Sequence, residues 1–389
     1  MQPVLYWPQR VHSGLVGGGS RIGRAGGEGP KRGIELNRVR VRVAVVGASG
    51  YAGAELISLL AHHPGVAELH VISRQHAGEP VGKVWPHLVH REDLLFEPLA
   101  SEELAASVDC IFGSTPAGAA RELAVPAVRH GVRYIDLGAD FRLHDPDLYP
   151  RYYKFSHEGE ALSLLGEAVY GLPEVHREEI KQARVVANPG CYPTAVLLGL
   201  APLLRHGLVA RDGRAVQVAA LSGVSGAGAT PAAGYHFPEM TENARPYQVA
   251  THRHTPEMEQ EAAALAGYAV PFTFVPHLIP ASRGILATCF VPLEEPLKAA
   301  RALELYRETY RGERFVRVLG EEALPQIKAV AGSNFCDVTV RMAADGKTAV
   351  VLAAIDNLRK GAAGQAVQNF NLMFGWPEET ALTGYPLFP

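Results

Sequence analysis

No stretch of the 389-residue chain holds the ~18 uncharged apolar residues that a membrane span requires. Neither sign of charge is in excess. The 37 Lys and Arg stand against 40 Asp and Glu, a net of −3, so no electrostatic case exists for nucleic acid or an acidic membrane surface. Cysteine is scarce too. Cys110, Cys191, Cys289 and Cys336 lie far apart with no C-x-x-C spacing, which argues against a zinc knot or a dense disulfide framework and for reduced thiols in a cytoplasm. These absences leave chemistry on small molecules as the default. The length exceeds what one small core organises, so two domains are expected.

The first forty residues lack a sustained apolar run and are rich in Gly and Arg, as in "SGLVGGGSRIGRAGGEGPKRG". Without the apolar segment of a secretory signal, residues 1–40 are expected to be a flexible tail or the product of an upstream start rather than a transit peptide. Folding is expected to begin near Val41. There "VRVAVVGASGYAGAELISLLAHHPGV" reads as a buried strand, a glycine turn and an amphipathic helix. "AELHVISR", "VDCIFGSTP" and "VRYIDLGAD" add strands with helix-like segments such as "AARELAVPAVRHG" between them, the alternation of a parallel sheet covered on both faces.

A dinucleotide-binding α/β domain is therefore expected over residues 41–190. Beyond it, "TAVLLGLAPLLRHGLV" is one helix. Strand-like runs follow in "AVQVAALSGVSG", "PFTFVPHLIP", "GILATCFVPL" and "DVTVRMAADGKTAVVLAAID", the last with an Asp-Gly hairpin signal. This more antiparallel pattern predicts a second, α+β domain over residues 191–356. A helix in "NLRKGAAGQAVQNFNLMFGW" is expected to return to the first domain within residues 357–389.

Gly47, Gly50 and Gly53 are spaced one step from the dinucleotide fingerprint, in which small residues let N–H groups and a helix start approach a pyrophosphate. An NAD-selective site usually ends its second strand in an acid. Here it ends in Ser73 and Arg74, a hydroxyl and a guanidinium suited to a 2′-phosphate, so NADP(H) is the expected cofactor, with a solvated surface Arg as the plainer reading of Arg74.

Cys191, in "ANPGCYPT", opens a helix where the dipole favours a thiolate, although an isolated cysteine is often just a small core residue. A cysteine combined with a nicotinamide site points to interconversion of an aldehyde and an activated acid, because a thioester accepts hydride where a carboxylate does not. His252 and His254 in "THRHTPEMEQE" are the candidate proton carriers, with Glu257 placed to orient His254 and Thr255 to cap the following helix. H-x-H has no further ligand cluster beside it, so no metal is expected. Arg142, just past a strand end, is either an anion-holding residue or a salt-bridged surface Arg. The loop over residues 221–228 either lines a site or turns the chain, and His277 is expected to be packed or at an interface.

In order, "GASGYAG", "ADFRL", "AVYGLPE", "ANPGCYPT", "SGVSGAG", "HRHTPE", "PASRGILAT", "GSN" and "IDNLRKGAAGQAVQN" closely resemble the N-acetyl-gamma-glutamyl-phosphate reductase family of arginine biosynthesis, over residues 41–389. The resemblance implies an oxidoreductase with a Rossmann NADP-binding domain and an α+β catalytic and oligomerisation domain. That architecture is shared with aspartate-semialdehyde dehydrogenases and, more distantly, glyceraldehyde-phosphate dehydrogenases, and a homodimer or homotetramer goes with it. It implies Cys191 as nucleophile and His252 or His254 as acid/base, His254 being favoured through Glu257. It implies Arg142 and Asn188 at the substrate, and Gly47, Ser49, Gly50, Tyr51, Gly53, Ser73, Arg74, Ser225, Gly226 and Asn357 at NADP(H). Three departures stand out: Ala229 where a basic residue is usual, "FGSTPAG" in place of a proline-histidine motif, and Gly138 where serine is usual. A lysine-branch relative acting on carrier-bound aminoadipyl phosphate is the alternative, disfavoured by the Pro and Tyr that flank Cys191. A nucleotide-sensing regulator without catalysis would need neither the cysteine nor the histidine pair.

Overall fold

The computed structural model describes residues 40–388, so the tail expected over residues 1–40 lies outside the described residues except for Arg40. The first sheet comprises β1 (Val41–Val46), β2 (Val66–Ile72), β3 (Phe96–Glu97), β4 (Cys110–Gly113), β5 (Arg133–Asp136), β6 (Val169–Tyr170) and β7 (Val185–Ala187). Their order is β3-β2-β1-β4-β5-β7-β6, and every pairing is parallel. Strand β1 is apolar almost throughout because helices cover both faces. On one side Val43, Val45, Leu56 and Phe112 pack with Val367 and Phe370 of the C-terminal helix; on the other Ala44, Val46, Ile111, Leu123 and Tyr134 form a second cluster.

At the carboxyl end of β1, Gly47 takes φ +82°, and a Cβ there would lie 2.0 Å from the Ser114 carbonyl oxygen, so only glycine makes this turn. The helix Tyr51–Leu60 starts at once, with no side-chain cap and no acidic residue in its first turn. Its unpaired N–H groups are left for whatever occupies the cleft.

The second sheet comprises β8 (Val216–Ser222), β9 (Arg245–Pro246), β10 (Phe272–Leu278), β11 (Ile285–Pro292), β12 (Val316–Val318), β13 (Cys336–Met342) and β14 (Thr348–Ile355), in the order β12-β13-β14-β11-β8-β10-β9. It is mixed: β8–β10 and β12–β13 are parallel, the remaining pairs antiparallel. The α/β plus α+β class read from the sequence is the class observed. The helix Cys191–Arg205, buried from Tyr192 to Leu204, packs on one face of this sheet through residues such as Leu197 and Leu200, beside Val218, Ala287 and Val351. Strand alternation turns Leu221, Val275, Leu286, Phe290, Val350 and Leu352 to the other face, where each is at least partly exposed.

The predicted C-terminal helix departs from a plain α-helix. It opens with a π-helical turn over Arg359–Ala363 and continues as Gly364–Met373. Within that turn Lys360 is fully buried and donates to Glu174 Oε1 and Gln368 Oε1, both at 2.7 Å, a compensated cation that ties the turn to the helix Pro173–Gln182. Among the described residues no helix is long and apolar enough to cross a membrane.

Candidate active site

Strand β7 ends at Ala187, and Asn188-Pro189-Gly190 lead straight into the helix that begins at Cys191. The Gly190 N–H donates to Glu257 Oε1 (2.7 Å), which also accepts from the Tyr170 hydroxyl (2.7 Å), while Glu257 Oε2 lies 3.5 Å from Arg142 Nη1. Arg142 is anchored from Nε to Asn188 O (2.9 Å) and from Nη2 to Leu137 O (3.1 Å), which leaves Nη1 beside Gly190. A Cβ at Gly190 would stand 2.7 Å from His254 Nε2 and 3.0 Å from Arg142 Nη1. Glycine is needed here because an imidazole and a guanidinium press on its Cα, its φ of −65° being open to any residue.

Three expectations change at this point. Glu257 does not orient His254, because the Gly190 amide, the Tyr170 hydroxyl and the Arg142 charge occupy its carboxylate, and His254 Nδ1 is buried without a hydrogen-bond partner among the described residues. Thr255 does not cap the helix either; it is the first residue of the helix Thr255–Ala266, and His254 holds the N-cap position. Nor does the helix start by itself deliver a thiolate. Burial pushes the Cys191 thiol up to about 11, opposed by the Arg142 charge and the Tyr192 N–H. Burial also holds His254 well below the ordinary histidine range, with the His252, Arg142 and Arg253 charges adding to it. Both shifts favour the uncharged forms of the thiol and the imidazole.

His252 Nδ1 accepts the His254 backbone N–H at 3.1 Å, which puts the ring proton of neutral His252 on Nε2. Burial, reinforced by Arg253, lowers His252 to about 4. The two rings lie 4.7 Å apart, and each meets the Tyr192 ring in a T-shaped arrangement. Tyr192 in turn accepts from the Tyr247 hydroxyl at 3.1 Å.

Three of the cavities in this region mark the path from the glycine turn to the histidines. A cavity of about 350 Å³ beyond β1 and β2 is lined by Gly47, Ser49, Ser73, Arg74, Ser114 and Glu122 among others. Ser73 Oγ donates to Ser49 Oγ (3.0 Å), and the exposed Arg74 pairs with Glu122 at 3.2 Å. Ser114 also lines a second cavity, about 280 Å³, that passes Gly50, Tyr51, Ser225, Gly226 and Asn357 to reach Arg142, Asn188, Cys191 and His254. A third, also about 280 Å³, shares Cys191, Gly226, Arg253 and His254 with the second and is lined besides by Tyr192, Tyr247 and His252.

Of the residues expected at a ligand, Gly53 faces none of these cavities, and Asn357 and Asn188, which line the second, also brace their surroundings. A Cβ at Gly53 would strike Gly47 O at 2.5 Å, so this glycine serves the close packing of helix on turn. Asn357 accepts from Gly284 N (2.8 Å) and donates to Ser225 Oγ (2.9 Å), holding the Gly/Ser loop in place. Asn188, which also lines the second cavity, donates to Ala362 O (3.2 Å) and accepts from Asn369 (3.1 Å), so its amide braces the C-terminal segment. Sequence reasoning passed over Tyr170, Ser114 and Arg253. Arg253 carried a signal, since it stands between the two histidines in the same motif.

Over residues 42–183 the chain matches the family described as semialdehyde dehydrogenase, NAD binding domain, and over residues 191–357 the semialdehyde dehydrogenase, dimerisation domain. It is 50% identical over 349 residues to the N-acetyl-gamma-glutamyl-phosphate reductase of Desulforamulus reducens, covering 90% of this chain and 100% of that one. With the same-named protein of Pelotomaculum thermopropionicum it shares 48% over 349 residues, 90% of this chain and 99% of that one. In fold it is similar to aspartate semialdehyde dehydrogenase II from Vibrio cholerae, with a TM-score of 0.66 at 20% identity over 86% of this chain and 98% of that one.

Proposed function

The chain belongs to the N-acetyl-gamma-glutamyl-phosphate reductase family, and from that premise we propose that it reduces N-acetyl-gamma-glutamyl phosphate to N-acetylglutamate 5-semialdehyde with NADPH, releasing phosphate, as an oxidoreductase of arginine biosynthesis. The observation that carries this reading is the position of Cys191, where the cavity leading from the glycine turn meets the cavity that holds the histidines.

Cys191 Sγ attacks the acyl carbon as His254, whose Nε2 abuts Gly190, accepts the thiol proton; the acyl–phosphate bond breaks, phosphate leaves, and a thioester remains. Arg142 Nη1, the one guanidinium nitrogen not bound to a backbone carbonyl, is the cation for the departing charge. NADPH, when bound, supplies the hydride that reduces the thioester. The uncapped helix start at Cys191 offers N–H groups to the oxyanion, and the imidazolium of His254 is the proton source as the semialdehyde is released. Glu257 acts on the scaffold, neutralising Arg142 and fixing the Gly190 amide.

The residues present fit NADPH. Gly47 makes a turn that no side chain allows, the uncapped helix start follows it, and Ser73, Ser49 and Arg74 line the cavity where the 2′-phosphate belongs. The four cysteines, all unpaired, fit a cytoplasmic setting. The partly exposed face carrying Leu221, Leu286, Phe290 and Leu352, interrupted by Gln217 and Thr288, is mostly apolar across β8, β11 and β14, and a second copy of the chain is its natural cover, giving at least a homodimer. Phosphate-dependent reduction of NADP by N-acetylglutamate 5-semialdehyde, run beside its aminoadipate homologue, tests the reaction. Turnover of the shorter aldehyde is expected; preference for the longer one would move the enzyme to the lysine branch.

A further inference from the structure

We propose that Arg253 selects the substrate by its α-carboxylate, an assignment that rests on the reaction proposed above. N-acetyl-gamma-glutamyl phosphate brings two anionic groups, the phosphate that leaves and the carboxylate that stays. The site offers two arginines of opposite character. Arg142 is buried, anchored through two nitrogens and paired with Glu257, and it lines the cavity on the glycine-turn side of the sulfur. Arg253 is exposed, makes no ion pair among the described residues and lines both cavities that meet at Cys191; its guanidinium lies 5.8 Å from the Tyr153 ring and its charge is felt by His252 and His254, and the Tyr153 hydroxyl donates to its carbonyl at 3.4 Å.

The third cavity is decisive. Its lining contains no Asp or Glu, its two histidines are held neutral by burial, and Arg253 is its one permanently charged residue. Such a cavity recognises an anion. The phosphoryl oxygen is bonded to the carbon that Cys191 attacks, so the phosphate stays beside the sulfur, where Arg142 Nη1 lies next to Gly190. The carboxylate carbon is separated from the reacting carbon by three others, roughly 5 Å by ordinary bond lengths. That span suits a long side chain one residue removed from the histidine that abuts the helix start.

The test runs the reaction in reverse, with NADP and phosphate, on two aldehydes: N-acetylglutamate 5-semialdehyde and 4-acetamidobutanal, the same molecule without its carboxylate. The wild type is expected to prefer the carboxylated aldehyde. Arg253→Gln is expected to lower kcat/KM for that aldehyde about 10- to 100-fold, chiefly through KM, as loss of one charge-assisted contact does. It should affect 4-acetamidobutanal far less, so the preference collapses, and Arg253→Lys should restore part of it. NADPH affinity and melting temperature should hold, which separates the effect from misfolding. Equal losses on both aldehydes would overturn the assignment. So would a raised KM for phosphate with the aldehyde preference intact, which would place the phosphate on Arg253. A wild type inactive on both aldehydes would overturn the reaction itself and this assignment with it.

Discussion

The nucleotide cleft and the thiol pocket meet at one sulfur but are made in opposite ways. The cleft rests on short consecutive runs, with Gly47 to Gly50 as one turn and Ser73-Arg74 just past the adjacent strand. The pocket is assembled from Arg142, Tyr170, Gly190, Cys191 and Glu257, brought together from four separate segments and holding one another through side chains. An interlocked side-chain site fails as a unit.

The contrast is sharpest at Cys191. Cys191→Ser is expected to reduce turnover by about 10³-fold or more, since serine is a much weaker nucleophile at neutral pH, with NADPH affinity nearly unchanged by fluorescence titration. Residual activity above about a tenth would rule out a thioester route.

Glu257→Gln comes next. If the pocket is interlocked, it leaves Arg142 charged and uncompensated in the interior, a loss of about 3–5 kcal/mol in stability measured by denaturant unfolding. A fully stable variant with slowed chemistry would return Glu257 to a role on His254.

His254→Asn should lower kcat by about 10²-fold, whereas His252→Asn should act mainly on KM. Burial keeps His254 neutral to well below pH 6.5, so the competent proton acceptor persists on the acid side. The acid limb of kcat/KM is accordingly expected below the ordinary histidine range, with no alkaline turn short of the thiol's value of about 11. An inflection near 6.5 in the wild type that disappears in His254→Asn would show an imidazole exposed to water.

Arg74→Asp probes the one place where the cleft depends on a charged side chain. It should disfavour NADPH relative to NADH by about 1.5–3 kcal/mol, through loss of one charge-assisted contact. Equal losses on both nucleotides would make Arg74 only the partner of Glu122.

The same difference decides what a reader of the sequence could see. The glycine turn, its strand and its helix declare themselves because the turn is local and its residues are consecutive. Cys191 and the H-x-H pair were visible as residue types, and the ordered motifs supplied their roles. The partner of Glu257 was misjudged because sequence proximity to His254 says nothing about Gly190 and Tyr170, which arrive from other segments and compete for the carboxylate. The π-helical opening at Arg359–Ala363 was hidden for a related reason. It depends on Lys360 finding Glu174, nearly two hundred positions earlier.

The two cavities that meet at the sulfur share only Cys191, Gly226, Arg253 and His254. On the reading proposed above, the carboxylate end of the substrate and the nicotinamide end of NADPH occupy linings that touch at those four residues. Acyl phosphate without NADPH is expected to acylate Cys191 and release a single enzyme-equivalent burst of phosphate before turnover stops.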